Sequence, residues 1–167
     1  MIPSDHFVRF YNEIFKYLQK QGPEAIAEYY QTISKHQETH CWEIFTQKGI
    51  PGMKEYWDNI RKEENCDGEV LECSETVYRS IMNNCPSLSK VVDNDAGASD
   101  IYCRHCPGWV MPLLTKCGYY CVEDLVGLDI PRCQLSIFKN LEDARAYRER
   151  VLKRHPGKPE LVESNFD

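Results

Sequence analysis

The strongest constraint on the fold is a change of hydrophobic period after residue 66. Before it, apolar side chains recur at helical spacing. Phe7, Phe10, Tyr11, Ile14 and Leu18 mark a first helix, which Asp5 is expected to cap. Gly22-Pro23 opens a second, since proline suits a first helical turn. Ile26, Tyr29, Tyr30 and Ile33 give that helix its core face, and it runs on through Trp42 and Phe45 to Gly49. Pro51 then opens a shorter helix carrying Met53, Tyr56, Trp57 and Ile60.

After Cys66-Asp67-Gly68 the pattern becomes that of strands. Residues 69–73 and 76–82 are predicted as strands, the second rich in β-branched and aromatic residues. Cys85-Pro86 ends that section, and residues 93–99 have loop composition. A helix is expected between residues 100 and 116, closed by Gly118 as its C′ residue. A second strand pair covers residues 119–125 and 132–138. Asn140 caps a last helix with Leu141, Ala144, Tyr147 and Val151 on one face, ended by His155-Pro156-Gly157. The expected class is α+β: N-terminal helices on a small, mainly antiparallel sheet, one helix between strand pairs, and a C-terminal helix. A single domain is expected over residues 1–157. Residues 158–167 are expected to be a tail, frayed or lying across the surface.

Charge and targeting signals narrow the function classes. A formal net charge of −6 argues against binding nucleic acid or an anionic membrane, which calls for basic excess. The N-terminal residues do not resemble a signal peptide, and no apolar run reaches the ~18–20 residues of a membrane span. A cytoplasmic protein is expected, with its thiols mostly reduced. There are nine cysteines, so complete intramolecular pairing is impossible. They read as free thiols, metal ligands or a working pair. Whether the chain forms a homo-oligomer is left open.

The densest chemistry lies in Asp100-Ile101-Tyr102-Cys103-Arg104-His105-Cys106-Pro107-Gly108-Trp109. Cys103-x-x-Cys106 followed by Cys117, Cys121 and Cys133 suggests a zinc or iron–sulfur site. A helix over residues 107–117 would hold its ends ~15 Å apart at about 1.5 Å rise per residue. One zinc with four Zn–S bonds of ~2.3 Å cannot then reach both ends. A smaller site survives. Pro107 at a helix start puts Cys106 near the N-cap, where unpaired N–H groups and the helix dipole favour thiolate, as do Arg104 and His105. That fits a nucleophile, two metal ligands or a redox pair. The redox reading resembles thioredoxins only in the C-x-x-C and the following helix. If the helix instead began at Asp100, Cys103, Cys106, Val110, Leu113 and Cys117 would form an inert apolar stripe.

Other residues extend these readings. His36 and His40 lie four apart on the second helix and could join Cys103 and Cys106 around zinc or iron; they also read as a solvated face. Asp93, Asp95 or Asp100 could orient His105 or act as a base, as cysteine-dependent hydrolysis requires. Tyr102 and Trp109 would line an apolar pocket. Cys85 could be a second thiol or a haem-type ligand, although a strand terminator serves as well. Cys41, Cys66 and Cys73 lack supporting context. No phosphate-cradling glycine motif occurs, so nucleotide chemistry has no support.

The order of features carries a resemblance. Helices lead to a strand ending in Asn84-Cys85-Pro86, followed by a cysteine-bearing helix and a closing Arg132-Cys133-Gln134-Leu135-Ser136-Ile137-Phe138 strand. Over residues 5–140 that layout resembles the L-2-amino-thiazoline-4-carboxylic acid hydrolase-like family of small bacterial proteins. The resemblance implies hydrolytic opening of a small sulfur- or nitrogen-containing ring, with Cys85 and Cys133 as counterparts. The function expected is a small-molecule hydrolase or ring-opening enzyme, with Cys106 or Cys103 as nucleophile or metal ligand, His105 as base and Asp100 orienting it. The alternatives are a Cys/His metal or cofactor sensor, a C-x-x-C redox protein, and a domain whose cysteines are inert.

Overall fold

The computed structural model describes residues 3–93 and 97–167. Helix α1 (Pro3–Gln21) begins before Asp5, so Asp5 lies in its first turn and does not cap it. Helix α2 (Pro23–Glu63) starts on Pro23 as expected, after Gly22 at the N-cap. The two helices expected on either side of Pro51 are one element with a break at Gly49, where φ is 59° and ψ −140°. That conformation is open essentially to glycine alone. A Cβ at Gly49 would also stand 3.0 Å from Tyr119 Oη. Gly49→Ala should therefore cost about 1–3 kcal/mol. An unchanged urea midpoint in that variant would show that the break needs no glycine.

Two strand pairs follow, β1 (Asp67–Cys73) with β2 (Val77–Asn84), and β3 (Tyr120–Asp124) with β4 (Cys133–Phe138). Between the pairs lie α3 (Pro86–Val92) and α4 (His105–Lys116). Helix α5 (Leu141–Arg154) comes last, with the Asn140 side chain accepting from the Glu142 N–H as its cap. The expected tail is not a frayed end. Val162–Ser164 forms β5, antiparallel to β3, because Leu161 and Val162 have apolar surface to bury there. The sheet order is β1-β2-β4-β3-β5, and every adjacent pair is antiparallel. The fold is α+β.

Residues alternate across the sheet. On one face Tyr78, Cys121 and Ile137 pack with Cys41, Phe45, Ile50 and Met53 of α2 and with Leu113 and Leu114 of α4. On the other, Val122 and Phe138 pack with Ala144, Tyr147 and Val151 of α5. Helix layers on both faces explain why Cys121 to Asp124 are buried without a break. A third cluster joins Val8 and Phe15 of α1, Leu88 and Val91 of α3, and Tyr102. The site lies where that cluster meets the end of the sheet. Among the described residues no helix is long and apolar enough to cross a membrane.

Candidate active site

Backbone geometry just before α4 aims the site. Ser99 Oγ accepts from the Ile101 N–H, and the Ser99 carbonyl accepts from the Tyr102 N–H at 3.0 Å. A short 3-10 turn, Tyr102–Arg104, then runs straight into α4. The helix thus begins at His105, two residues before Pro107, and Cys106 lies inside its first turn. Asp100 is exposed in the preceding turn, and Asp93 follows the end of α3. Asp95 lies outside the described residues.

His105 is 7% exposed and ringed by aromatics. Phe15 stacks on it at 5.4 Å between centroids, Tyr102 meets it edge-on at 5.0 Å, and Trp109 lies at 4.6 Å. Its Nδ1 bonds the Tyr102 carbonyl oxygen. A carbonyl only accepts, so Nδ1 carries the proton and Nε2 of the neutral ring is a bare acceptor. Burial lowers the His105 pKa to about 4, which keeps the ring neutral at physiological pH. Nε2 stands 3.3 Å from Cys106 Sγ. The group that orients His105 is a backbone carbonyl, where the sequence suggested Asp100.

Cys106 opens into a small cavity of about 30 Å³, lined also by Cys85, Cys103, Cys133, His105 and Glu123. Four thiols from three separate stretches of chain therefore face one space. Cys85 follows β2 directly and caps α3, its Sγ accepting from the Leu88 N–H at 3.4 Å. Cys103 Sγ donates to the Leu128 carbonyl at 3.7 Å. Cys133 opens β4, and Glu123 sits on β3 with its side chain 5% exposed. Tyr102 lines the cavity, and its hydroxyl pairs with Ser87 Oγ at 2.6 Å. Trp109 packs against His105 and does not line that cavity.

The electrostatics differ from those expected at a helix start. The Cys106 residue keeps part of its surface open to solvent, yet burial around its sulfur pushes the thiol well above its ordinary pKa, and Glu123, Cys85, Cys133 and Cys103 push the same way. Desolvation outweighs the dipole and the Arg104 charge, so Cys106 rests as a thiol and not as the expected thiolate. Burial likewise raises Cys103 to about 12, followed in effect by Cys85, Glu123 and Asp129. Cys133 is also raised well above its ordinary value by burial. Glu123 is pushed up to about 8, mainly by burial and then by Glu163. Its carboxyl holds its proton at neutral pH and can donate it.

The β3–β4 loop closes the cavity with Leu125, Ile130 and Arg132. Asp124 braces it: its Oδ1 accepts from the Val126 N–H at 3.0 Å and bonds His155 Nε2 at 2.8 Å, and Oδ2 pairs with Arg154 at 3.0 Å. Val126 is held at φ 57°, a strained setting for a β-branched residue. The Pro131 carbonyl accepts from the Cys85 N–H at 2.7 Å, tying the loop to the end of β2.

His36 and His40 are exposed on α2, and neither lines the cavity of Cys103 and Cys106. Cys117 caps the far end of α4, and Cys121 belongs to the core between sheet and helices. All nine cysteines are free thiols. The residues best placed to hold a soft metal are Cys85, Cys103, Cys106 and Cys133, yet among the described residues no group of three or more His, Cys, Asp or Glu is arranged around an ion. Sequence reasoning missed Glu123, although an acid placed two residues after Cys121, on the same strand face, was a usable signal. No family model, curated protein or solved structure matches the chain.

Proposed function

We propose that this chain is a small-molecule hydrolase or ring-opening enzyme with Cys106 as nucleophile and His105 as general base. One observation carries the reading: Cys106 Sγ lies 3.3 Å from His105 Nε2, while Nδ1 is committed to the Tyr102 carbonyl. Nucleophile, base and orienting group form the arrangement that activates a resting thiol. Hydrolytic opening of a small sulfur- or nitrogen-containing ring is the reaction implied by the resemblance to the L-2-amino-thiazoline-4-carboxylic acid hydrolase-like family. The cytoplasm suits a protein that depends on free thiols.

The Cys106 S–H proton passes to Nε2 as sulfur bonds the electrophilic carbon. The carbon–nitrogen bond breaks, and the departing nitrogen takes the Glu123 proton. Water then attacks the acyl-sulfur bond and gives a proton to the Glu123 carboxylate. The departing sulfur recovers its proton from the His105 imidazolium, which restores the enzyme.

The test is acyl transfer from nitrophenyl acetate, with the product mapped by mass spectrometry. One acetyl group on Cys106 is expected, and Cys106→Ala should abolish it without changing the melting temperature. Acetyl groups spread over the exposed thiols, with no loss in Cys106→Ala, would sink the reading.

A second reading has its own observation, the convergence of Cys85, Cys103, Cys106 and Cys133 on one cavity. Four thiols suit zinc or iron in a sensor. Zinc or iron near one equivalent in anaerobically purified protein, lost on replacing Cys85 or Cys133, would favour it over the hydrolase.

A further inference from the structure

On the far side of the first turn of α4 lies a second, larger cavity of about 650 Å³. Ile26, Ala27, Ile101, Pro107, Met111 and Pro112 give it apolar walls. Its size falls in the ~300–1,000 Å³ range of small-molecule sites. Two polar groups on its wall stand out. The Tyr30 hydroxyl is buried without a hydrogen-bond partner among the described residues, and so is Arg104 Nε. Buried polar groups nearly always have partners, so each orphan needs an explanation. Tyr30 is also held in place. A Cβ at Gly108 would come 2.4 Å from its ring, so the ring lies directly on the α4 backbone.

Arg104 faces one acid on this wall, Glu163, whose Oε1 is 3.7 Å from Nε. That is too long for a hydrogen bond. The guanidinium fork, matched to a carboxylate, keeps its donors. We propose that this cavity binds an amphiphilic organic acid, with its apolar body against the α2 and α4 walls and its carboxylate held by Arg104 and the Tyr30 hydroxyl. A neutral apolar guest would leave both donors unsatisfied. The volume suits an aryl-alkyl or medium-chain acid. Glu163 opposes the bound anion and so limits its affinity.

The inference does not depend on the cysteine chemistry, and its test is a binding measurement. Anilinonaphthalene sulfonate serves as fluorescent probe, displaced by phenylbutyrate or by its neutral amide. The acid should displace the probe at about tenfold lower concentration than the amide, since charge-assisted bonds are about twice as strong as neutral ones. Arg104→Gln should erase that preference, Tyr30→Phe should weaken the acid about threefold to tenfold, and Glu163→Gln should strengthen it. Binding is read without turnover or acylation, which separates this result from any failure of the hydrolase reading. Equal displacement by acid and amide, or a preference that persists in Arg104→Gln, would overturn the proposal. So would a doubled mass by light scattering together with no probe binding, which would assign the cavity to a second copy of the chain.

Discussion

His105→Asn should slow acetylation of Cys106 by about 100-fold and change its pH dependence. Asparagine suits the test because its amide N–H can replace Nδ1 in the bond to the Tyr102 carbonyl, while nothing replaces Nε2 opposite Cys106. General bases contribute typically 10²–10⁴-fold, and the low end applies here because a base with a pKa of about 4 is weak. The pH profile separates catalysis from structure. With its pKa lowered to about 4, His105 is in its base form above that pH, so the wild-type rate should be flat from about pH 5 to 8. Without the base, attack requires a thiolate that burial disfavours, and the rate should climb about tenfold per pH unit. A flat profile in both proteins would remove His105 from the mechanism even if the variant were slower.

Glu123→Gln should produce the largest change in stability, and only at high pH. The carboxyl titrates at about 8 in the folded chain against an ordinary 4.5. Between those values the folded state keeps a proton that the unfolded state has released. Stability contributed by the protonated acid is therefore fully present below about pH 4.5 and is lost as pH rises through 8. At 1.36 kcal/mol per unit the loss amounts to about 5 kcal/mol. The glutamine variant has no proton to lose. It should match the wild type near pH 4 and exceed it by about that amount at pH 8.5, read from urea midpoints at both values. Parallel pH dependence in the two proteins would show that Glu123 is not the buried acid described.

Local sequence signals carried much of the fold. Gly49 and Pro51 marked the break in α2, and the strand segments followed from β-branched and aromatic content between turn residues to within two residues at each end. Helix α3 was missed because seven residues, Pro86–Val92, are too few to establish a helical period. Strand β5 was missed because its three residues gain their burial from β3, a partner far away in sequence. The site was legible in its members more than in its assembly. Cys103, His105 and Cys106 stand out by spacing. That Cys85 and Cys133 face them follows from the β2–β4 register, which sets Met82 opposite Cys133. Asp100 looked like the orienting group because a side-chain acid is visible in a sequence, whereas the Tyr102 carbonyl that does the work is backbone and has no letter of its own.

The β2–β4 register also shapes how the chain must fold. Its pairs join residues 77–82 to residues 133–138 across everything that carries α3 and α4. Such non-local pairing must overcome a large loop-closure entropy before it is rewarded, so it forms late and slowly. Until then Cys85, the Cys103–Cys106 turn and Cys133 belong to three unconnected segments with exposed thiols. Oxidant met during that interval would cross-link them in the wrong combinations. Completion of the central strand pair is thus the event that brings the thiols together, with Cys85, Cys103 and Cys133 half-buried and Cys106 left the most open of the four.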